Sequence, residues 1–166
     1  MDRSAAADTA ATAHAQLAAA AIGQARRAAA AVQAKSVAIT YGTFDLFHVG
    51  HVRLFERIKR EFDYLVVAVS TDEFNAVKGK NSVVPFADRL EVVKACRHVD
   101  LAIAEHGWDQ KPSDIERFGC AAFVMGSDWE GKFDHLSAHC RVMYLPRTDG
   151  VSSSDLKAAI RTPARG

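Results

Sequence analysis

The chain has 166 residues, of which 49% are hydrophobic and 25% charged, and its formal net charge is +1. This composition is typical of a globular protein, and a general nucleic-acid binder would show a basic stripe instead. A local basic pocket for phosphates stays possible. No apolar run reaches the roughly 18 residues that a membrane-spanning helix needs, and the start Met1-Asp2-Arg3 lacks the basic segment of a secretory signal. We therefore expect a cytoplasmic protein that binds neither membranes nor nucleic acids.

The first 35 residues differ from the rest because they are mostly alanine with sparse charges. Alanine is the best helix former, so Gln16–Ala34 could be helical. Its methyl groups bury little area, so such a helix would dock weakly. We predict a flexible or helical extension over residues 1–35 and a single domain over residues 36–162. A helix that docks on a partner is the alternative.

Strand and helix patterns alternate from Ser36 onward. Short apolar or β-rich runs predict five strands, at Val37–Tyr41, Tyr64–Ser70, Val99–Ala104, Ala121–Met125 and Arg141–Leu145. Helical spacing predicts helices at Gly50–Glu61, Phe86–His98, Pro112–Phe118 and Ser152–Ile160. This alternation predicts an α/β, Rossmann-like fold: a five-stranded parallel sheet with helices on both faces. Such sheets bind ligands at the carboxyl ends of their strands, and we expect the site in the loops after strands one, two, four and five.

Cysteines offer no sign of a disulfide framework or a zinc site. Their number is odd and no CxxC spacing occurs. Cys96, Cys120 and Cys140 are predicted to be free thiols in a reducing compartment. We predict no metal site built from protein side chains.

The loop after the first strand carries two histidines, His48 and His51, three residues apart around Gly50. This spacing places both imidazoles on one face of the first helical turn. The helix start adds unpaired N–H groups and partial positive charge, and Gly50 leaves room for a phosphate. The backbone of Thr43 and Phe44 can also reach a phosphate there. Two histidines lack the third ligand that zinc needs, so the pattern favours an anion site.

Basic residues follow two other predicted strands. Lys78 and Lys80 come after the second strand, where a solvated lysine pair is the ordinary alternative. Arg147 opens the last loop, and an arginine can fork onto phosphate oxygens. Gly150 permits a tight turn, and serines at the following helix start can complete an anion cradle. A capped helix beside an incidental arginine is the alternative.

These motifs carry a resemblance to a known family. The string His48-Val49-Gly50-His51 resembles the HxGH signature of the nucleotidyltransferase superfamily. The last loop resembles the family's RTxGxST signature, with Ser153 where the family often has threonine. Longer segments resemble the glycerol-3-phosphate cytidylyltransferases specifically: Thr40–His51, Tyr64–Asn75, Phe123–Phe133 and Tyr144–Ser153. Four separated motifs in the same order are more specific than HxGH alone.

The resemblance implies a reaction and a set of site residues. CMP would pass from CTP to sn-glycerol 3-phosphate by direct in-line attack, giving CDP-glycerol and pyrophosphate. His48, His51 and Arg147 would be catalytic, and Lys78 and Lys111 would bind the acceptor. The nucleotide would contact Thr43, Phe44, His48, Val49, Gly50, His51, Lys80, Arg147, Thr148, Asp149, Gly150, Val151, Ser152, Ser153 and Ser154.

It further implies Mg²⁺ carried with CTP, a homodimer, and a product used in teichoic-acid or related polymer synthesis. Arg89 matches a basic position of the family, although a solvated arginine is nearly as good an explanation. Asp45, Asp128, Trp108 and Trp129 lie near the motifs without a defined role. Another acceptor with the same fold stays open: ethanolamine phosphate, another polyol phosphate, or FMN with ATP. So does a non-catalytic nucleotide-binding module.

Overall fold

The computed structural model describes residues 21–23 and 36–161. Its strands are β1 (Val37–Gly42), β2 (Tyr64–Ser70), β3 (Leu101–Glu105), β4 (Ala122–Gly126) and β5 (Arg141–Leu145). Its helices are α1 (Val49–Glu61), α2 (Asp72–Val77), α3 (Phe86–Ala95), α4 (Gln110–Phe118) and α5 (Ser153–Arg161). Two short 3₁₀ helices, Ser127–Trp129 and Asp134–Ala138, lie between β4 and β5.

The five strands form one parallel sheet in the order β3-β2-β1-β4-β5. The first strand, β1, is the central strand of the sheet. Strands β2 and β3 lie on one side of it, and β4 and β5 lie on the other side. The strand order therefore reverses between β1 and β4, which is where open α/β sheets bind their ligands. The predicted fold class is confirmed.

Alternate side chains of the strands enter two separate cores, one on each face of the sheet. Val37, Ile39 and Tyr41 of β1 join the core that α4 and the second 3₁₀ helix cover. Ala38 joins the opposite core, which α1 and α3 cover. Both cores are made of side chains almost without solvent exposure. Burial on both faces explains why the central strands are nearly continuous apolar runs in the sequence.

Helix α2 lies where the sequence pattern predicts a loop after β2. Thr71 caps it by accepting a 3.2 Å hydrogen bond from the Phe74 backbone N–H. Asp72 and Glu73 lie in its first turn, where negative charge is favourable. Six residues are too few to show a helical period, so the pattern could not reveal this helix.

Several predicted boundaries were displaced by a few residues. Helix α3 ends at Ala95 rather than His98, and β3 begins at Leu101 rather than Val99. Helix α4 begins at Gln110, ahead of Pro112. The proline still lies in the first turn, where its missing N–H has no helical partner to lose.

The predicted alanine-rich helix lies outside the described residues except for residues 21–23, which are helical. All three cysteines are free thiols, and Cys120 lies in the core, where burial raises its pKa to about 12. In the part of the chain that is described, no helix combines the length and the apolar character needed to cross a membrane.

Candidate active site

A cleft of about 520 Å³ opens at the carboxyl ends of the strands, where the strand order reverses. One wall is the start of α1, and another is the loop leading into α5. The end of β3 and the segment after β2 supply lysines and a carboxylate. The parallel sheet thus brings together residues that lie up to 116 positions apart in the sequence, from Tyr41 to Lys157.

The two histidines form the N-terminal cap of α1. The Nδ1 of His48 accepts a 3.1 Å hydrogen bond from the Gly50 N–H, and the Nδ1 of His51 accepts one of 3.4 Å from the His48 N–H. Their rings are stacked with centroids 3.9 Å apart. Because each Nδ1 accepts, each neutral ring carries its proton on Nε2. Both imidazoles therefore have an N–H available as a donor.

Neither imidazole is readily protonated in the free protein. Burial, with smaller contributions from the nearby His48 and Arg147, lowers the pKa of His51 to about 3, and Asp45 opposes this decrease. Burial and then the charge of Arg147 also lower the pKa of His48. At neutral pH the cleft therefore holds two neutral donors close to a guanidinium.

Gly50 is required by the histidines themselves. A Cβ at this position would lie 2.8 Å from Cε1 and 2.9 Å from Nδ1 of His48. Any side chain would push the His48 ring off the helix start and break the cap. The glycine of the HxGH string thus fixes the first imidazole, besides leaving room for a ligand.

The opposite wall is the loop between β5 and α5. Arg147 has a side chain 55% exposed, and its Nη1 lies 4.0 Å from Oδ2 of Asp128. Arg57 of α1 donates a 2.7 Å hydrogen bond to the Pro146 carbonyl, which connects this loop to the histidine helix. Ser152 caps α5 by accepting a 3.1 Å hydrogen bond from the Asp155 N–H. The starts of α1 and α5 therefore both contribute to the cleft.

Lys78 and Lys111 converge on a single buried carboxylate, Glu105, at the end of β3. The Nζ of Lys111 lies 2.6 Å from Oε1, and the Nζ of Lys78 lies 3.7 Å from Oε2. Lys78 also donates a 2.6 Å hydrogen bond to Oγ of Ser70. Chiefly because of burial, the pKa of Lys78 is lowered to about 8, and the charge of Glu105 opposes this decrease.

A second cavity of about 660 Å³ adjoins the first. It shares with the cleft the three predicted lysines and three aromatic rings: Lys78, Lys80, Lys111, Trp108, Trp129 and Phe133. The exposed Lys80 lies over the Trp129 ring, with Nζ 5.2 Å from its centroid. Space thus extends from the histidines past the lysines toward the start of α4 and the second 3₁₀ helix.

Comparisons with known proteins identify the family. A family model described as cytidylyltransferase-like matches residues 39–159. The chain belongs to this family. A glycerol-3-phosphate cytidylyltransferase of Bacillus subtilis (strain 168) is 52% identical over 122 residues, covering 74% of this chain and 95% of that protein.

A second glycerol-3-phosphate cytidylyltransferase, from Staphylococcus aureus (strain NCTC 8325 / PS 47), is 50% identical over 119 residues, covering 72% of this chain and 90% of that protein. A solved lipopolysaccharide core biosynthesis protein from Thermoplasma volcanium GSS1 has a TM-score of 0.59 at 22% identity. It covers 69% of this chain and 98% of its own. That likeness concerns the fold alone.

Most residues expected at the site of this cytidylyltransferase-like protein line the cleft. Those expected at the nucleotide are Thr43, Phe44, His48, Gly50, His51, Lys80, Arg147, Thr148, Val151, Ser152, Ser153 and Ser154, and those expected at the acceptor are Lys78 and Lys111. Val49, Asp149 and Gly150 do not line it. Val49 is 48% exposed at the first position of α1, and Gly150 has φ of 76°, as expected for a turn.

Asp45 proves to be a junction between three segments. Its carboxylate accepts hydrogen bonds from the Val83 and Val84 N–H groups, at 2.8 and 2.9 Å, and lies 2.8 Å from Nζ of Lys157 in α5. Its backbone carbonyl accepts a 2.7 Å hydrogen bond from Oγ of Ser153. Asp45 therefore joins the histidine loop to the last helix.

Arg89 is neither solvated nor part of the cleft lining. It is 1% exposed and donates to the carbonyls of Thr43 and Ser70, at 2.6 and 2.8 Å, and of Val84, at 2.9 Å. Its Nη2 lies 2.6 Å from Oδ1 of Asp72. Arg89 therefore connects the ends of β1 and β2 by hydrogen bonds. The sequence does not predict this structural role.

The sequence patterns assign no role to Glu105, which lines the cleft, or to Asn75, which contacts the cleft residue Thr43. Glu105 ends a strand whose loop was not expected to contribute. Asn75, 1% exposed, accepts a 3.0 Å hydrogen bond from Oγ1 of Thr43 and donates one of 2.9 Å to Oγ of Ser82. The only sequence signal for Glu105 is a carboxylate directly after the apolar run Leu101–Ala104, which is also common at ordinary strand ends.

Proposed function

We propose that this protein transfers CMP from CTP to sn-glycerol 3-phosphate and releases pyrophosphate. One observation carries the proposal: two neutral imidazole donors and a guanidinium share one cleft with a separate pair of buried lysines. The cleft thus has one cationic region suited to a triphosphate and another suited to a phosphate monoester. The two relatives at 50% and 52% identity carry this activity in their names.

The nucleotide side is built for charge stabilisation. The Nε2–H groups of His48 and His51 would donate to oxygens of the α-phosphate as charge develops there. Arg147, Lys80 and the N–H groups at the start of α5 would hold the β- and γ-phosphates. Because Nδ1 of each imidazole is engaged with backbone, the rings are already oriented before the substrate binds.

The acceptor supplies its own nucleophile. A phosphate monoester is anionic at neutral pH, so one of its oxygens can attack the α-phosphorus directly. The new bond joins that oxygen to the α-phosphorus, and the bond from the α-phosphorus to the bridging oxygen breaks, so pyrophosphate leaves with the electron pair. Lys78 and Lys111 would hold the acceptor in line for this attack, which makes positioning the main protein contribution.

Mg²⁺ is proposed to enter with the nucleotide. Within residues 36–161, no group of three or more His, Cys, Asp or Glu side chains is placed to hold a metal ion. Asp45 has its carboxylate engaged by Lys157 and two backbone N–H groups. An ion bound to the triphosphate oxygens fits this arrangement, and it would neutralise part of the phosphate charge.

The decisive experiment is a substrate panel read by pyrophosphate release. CTP and ATP are each combined with glycerol 3-phosphate, ethanolamine phosphate, other polyol phosphates and FMN. We expect turnover with CTP and glycerol 3-phosphate well above every other pair. Turnover with a different acceptor would reassign the substrate. Binding of CTP without turnover over any acceptor would favour a nucleotide-binding module.

We also infer a homodimer and a cytoplasmic location, both supported only by the family resemblance. The product would then supply the synthesis of teichoic acid or a related polymer. Light scattering of the purified protein tests the dimer, since a single monomeric mass would reject it.

A further inference from the structure

Glu105 occupies an unusual position among the charged residues of the cleft. It is 2% exposed, ends β3, and contacts cations that come from two other segments. Its Oε2 also lies 2.5 Å from Oγ of Ser70, the hydroxyl to which Lys78 donates. One carboxylate thus connects β2, β3, α4 and the residue that follows α2.

The positive charges of two buried lysines explain why a carboxylate is needed at position 105. Lys78 and Lys111 have side chains 8% and 4% exposed, so two ammonium groups are buried side by side. Burying a charge is costly unless it is paired, and two like charges raise that cost. Glu105 offsets one of the two charges and leaves a net positive charge. The site is therefore stable when empty and still attracts an anion.

The aromatic walls do not perform the same task. Nζ of Lys111 lies 4.5 Å from the centroid of Tyr41 and 4.8 Å from that of Trp108, and Nζ of Lys78 lies 4.3 Å from that of Phe74. Aromatic faces attract cations. They do not fix the direction of an N–H bond, whereas a carboxylate oxygen at hydrogen-bond distance does.

We propose that Glu105 is a positioning residue that pairs with the buried ammonium groups of Lys78 and Lys111 and keeps them directed at the acceptor phosphate. Each ammonium has three N–H bonds. Lys111 directs one at Glu105 and Lys78 directs one at Ser70, and the others remain for a phosphate. The inference rests on the proposed acceptor site and adds to it a residue that does not itself touch the phosphate.

The pH dependence of the acceptor step provides a specific readout. The pKa of Lys78 is lowered to about 8, chiefly by burial and also by the charges of Lys80 and Lys111, while Glu105 opposes this decrease. The nearby Tyr41 has its pKa raised by burial and by Asp114, so it stays uncharged. Removing the Glu105 charge should therefore lower the pKa of Lys78 further, and Lys78 should lose its proton at lower pH.

The test compares wild type with Glu105→Gln and Glu105→Asp in the full chain. For Glu105→Gln we expect the acceptor KM to rise about 10–100-fold, the loss of a hydrogen bond to a charged group. The CTP KM should stay within about twofold. The alkaline limb of kcat/KM for the acceptor should move to lower pH. Glu105→Asp retains the charge, so its alkaline limb should stay near that of wild type while its acceptor KM is intermediate.

Asp100→Asn is the matched control. Asp100 precedes the same strand, at its opposite end, and its Oδ2 lies 2.8 Å from Nζ of Lys59. Asp100 and Lys59 form another carboxylate–lysine pair next to β3, but neither residue lines the cleft. We expect Asp100→Asn to change stability without moving the acceptor KM or the pH profile. If Asp100→Asn changes the acceptor KM and the pH profile as Glu105→Gln does, both variants act through a general effect on β3, and our inference is wrong.

Failure of the inference differs from failure of the proposed function. Wild type that turns over no acceptor rejects the proposed function. The Lys78 pKa, followed by NMR of lysines labelled with ¹³C, still tests Glu105 without turnover. If Glu105→Gln keeps the wild-type Lys78 pKa, the inference is wrong. If Glu105→Gln does not fold, a Glu105→Asp variant with a wild-type acceptor KM overturns it.

Discussion

At the scale of single residues, the imidazoles act through their neutral form. Their Nδ1 atoms accept from the helix start, and their pKa values lie below the ordinary value for histidine. They are therefore fixed donors rather than proton carriers in the free protein. In the proposed reaction their contribution would be electrostatic preorganisation, which requires correct placement more than a changed protonation state.

His48→Ala and His51→Ala should each lower kcat by about 10²–10³, or roughly 3–4 kcal/mol, the usual cost of losing one preorganised donor. Steady-state pyrophosphate release measures this. His98→Ala is the control, because His98 does not line the cleft and pairs with Arg97 at 3.3 Å. A folded His51→Ala protein with nearly wild-type turnover would reject the assignment.

At the scale of elements, the loop between β1 and α1 is held in a strained shape. Phe44 and Leu46 have φ of 51° and 47°, which are uncommon for residues other than glycine. Asp45, between them, accepts from Val83, Val84 and Lys157. The loop conformation thus depends on contacts with the segment before α3 and with α5.

Asp45→Asn should lower the free energy of unfolding by about 1–3 kcal/mol, because the amide nitrogen that replaces one carboxylate oxygen cannot accept a backbone N–H bond and the ion pair with Lys157 is lost. Burial raises the pKa of Asp45, but hydrogen bonds from Lys157, Val83 and Val84 outweigh it and lower the pKa below its usual value. The stabilisation is therefore complete above about pH 3.9 and is lost as the pH falls through the lower folded-state pKa.

Urea unfolding at several pH values measures this effect, and the deficit of Asp45→Asn should shrink toward acid. The control is Glu91→Gln, which breaks an exposed pair with Lys94 at 2.8 Å. Exposed pairs of this kind contribute little to stability because water and salt screen them. A deficit for Asp45→Asn that is equally small would show that the loop holds its shape without this carboxylate.

The sequence predicts the strands and helices that are long enough to show a clear hydrophobic period. Long apolar strands and α1 show clear periods, and the HxGH and RTxGxST strings locate two cleft walls. Helix α2 has too few residues for a period, and Arg89 looks like any helical arginine until it is found 1% exposed. Glu105 ends a strand and belongs to no recognisable motif. The residues that it contacts come close to it only when β2 and β3 pair in the folded sheet.

At the scale of the whole molecule, the cleft lies between two parts of the sheet. Helix α1 follows the central strand β1, while α5 follows the edge strand β5. Two hydrogen bonds connect these regions. Arg57 of α1 donates to the Pro146 carbonyl in the loop after β5, and Ser153 of α5 donates to the Asp45 carbonyl in the loop after β1. A triphosphate that contacts both helix starts would add a further connection across the cleft.

CTP with Mg²⁺ should therefore raise the thermal unfolding midpoint. At about 100 times its Kd, a ligand that binds only the folded state adds about 2.7 kcal/mol, roughly 10 °C for a domain of this size. ATP and GTP should give smaller shifts at the same concentration. Arg147→Ala should lose most of the CTP shift because it removes the guanidinium from one wall.

Arg141→Ala provides the comparison for that variant, since Arg141 is a 66% exposed arginine whose Nη1 lies 3.9 Å from Oε2 of Glu61, outside the cleft. It should keep the full CTP shift. Equal shifts in Arg147→Ala and wild type would mean that the nucleotide does not contact the loop before α5. The triphosphate would then contact only the α1 side of the cleft, and the proposed role of Arg147 in holding the nucleotide would be wrong.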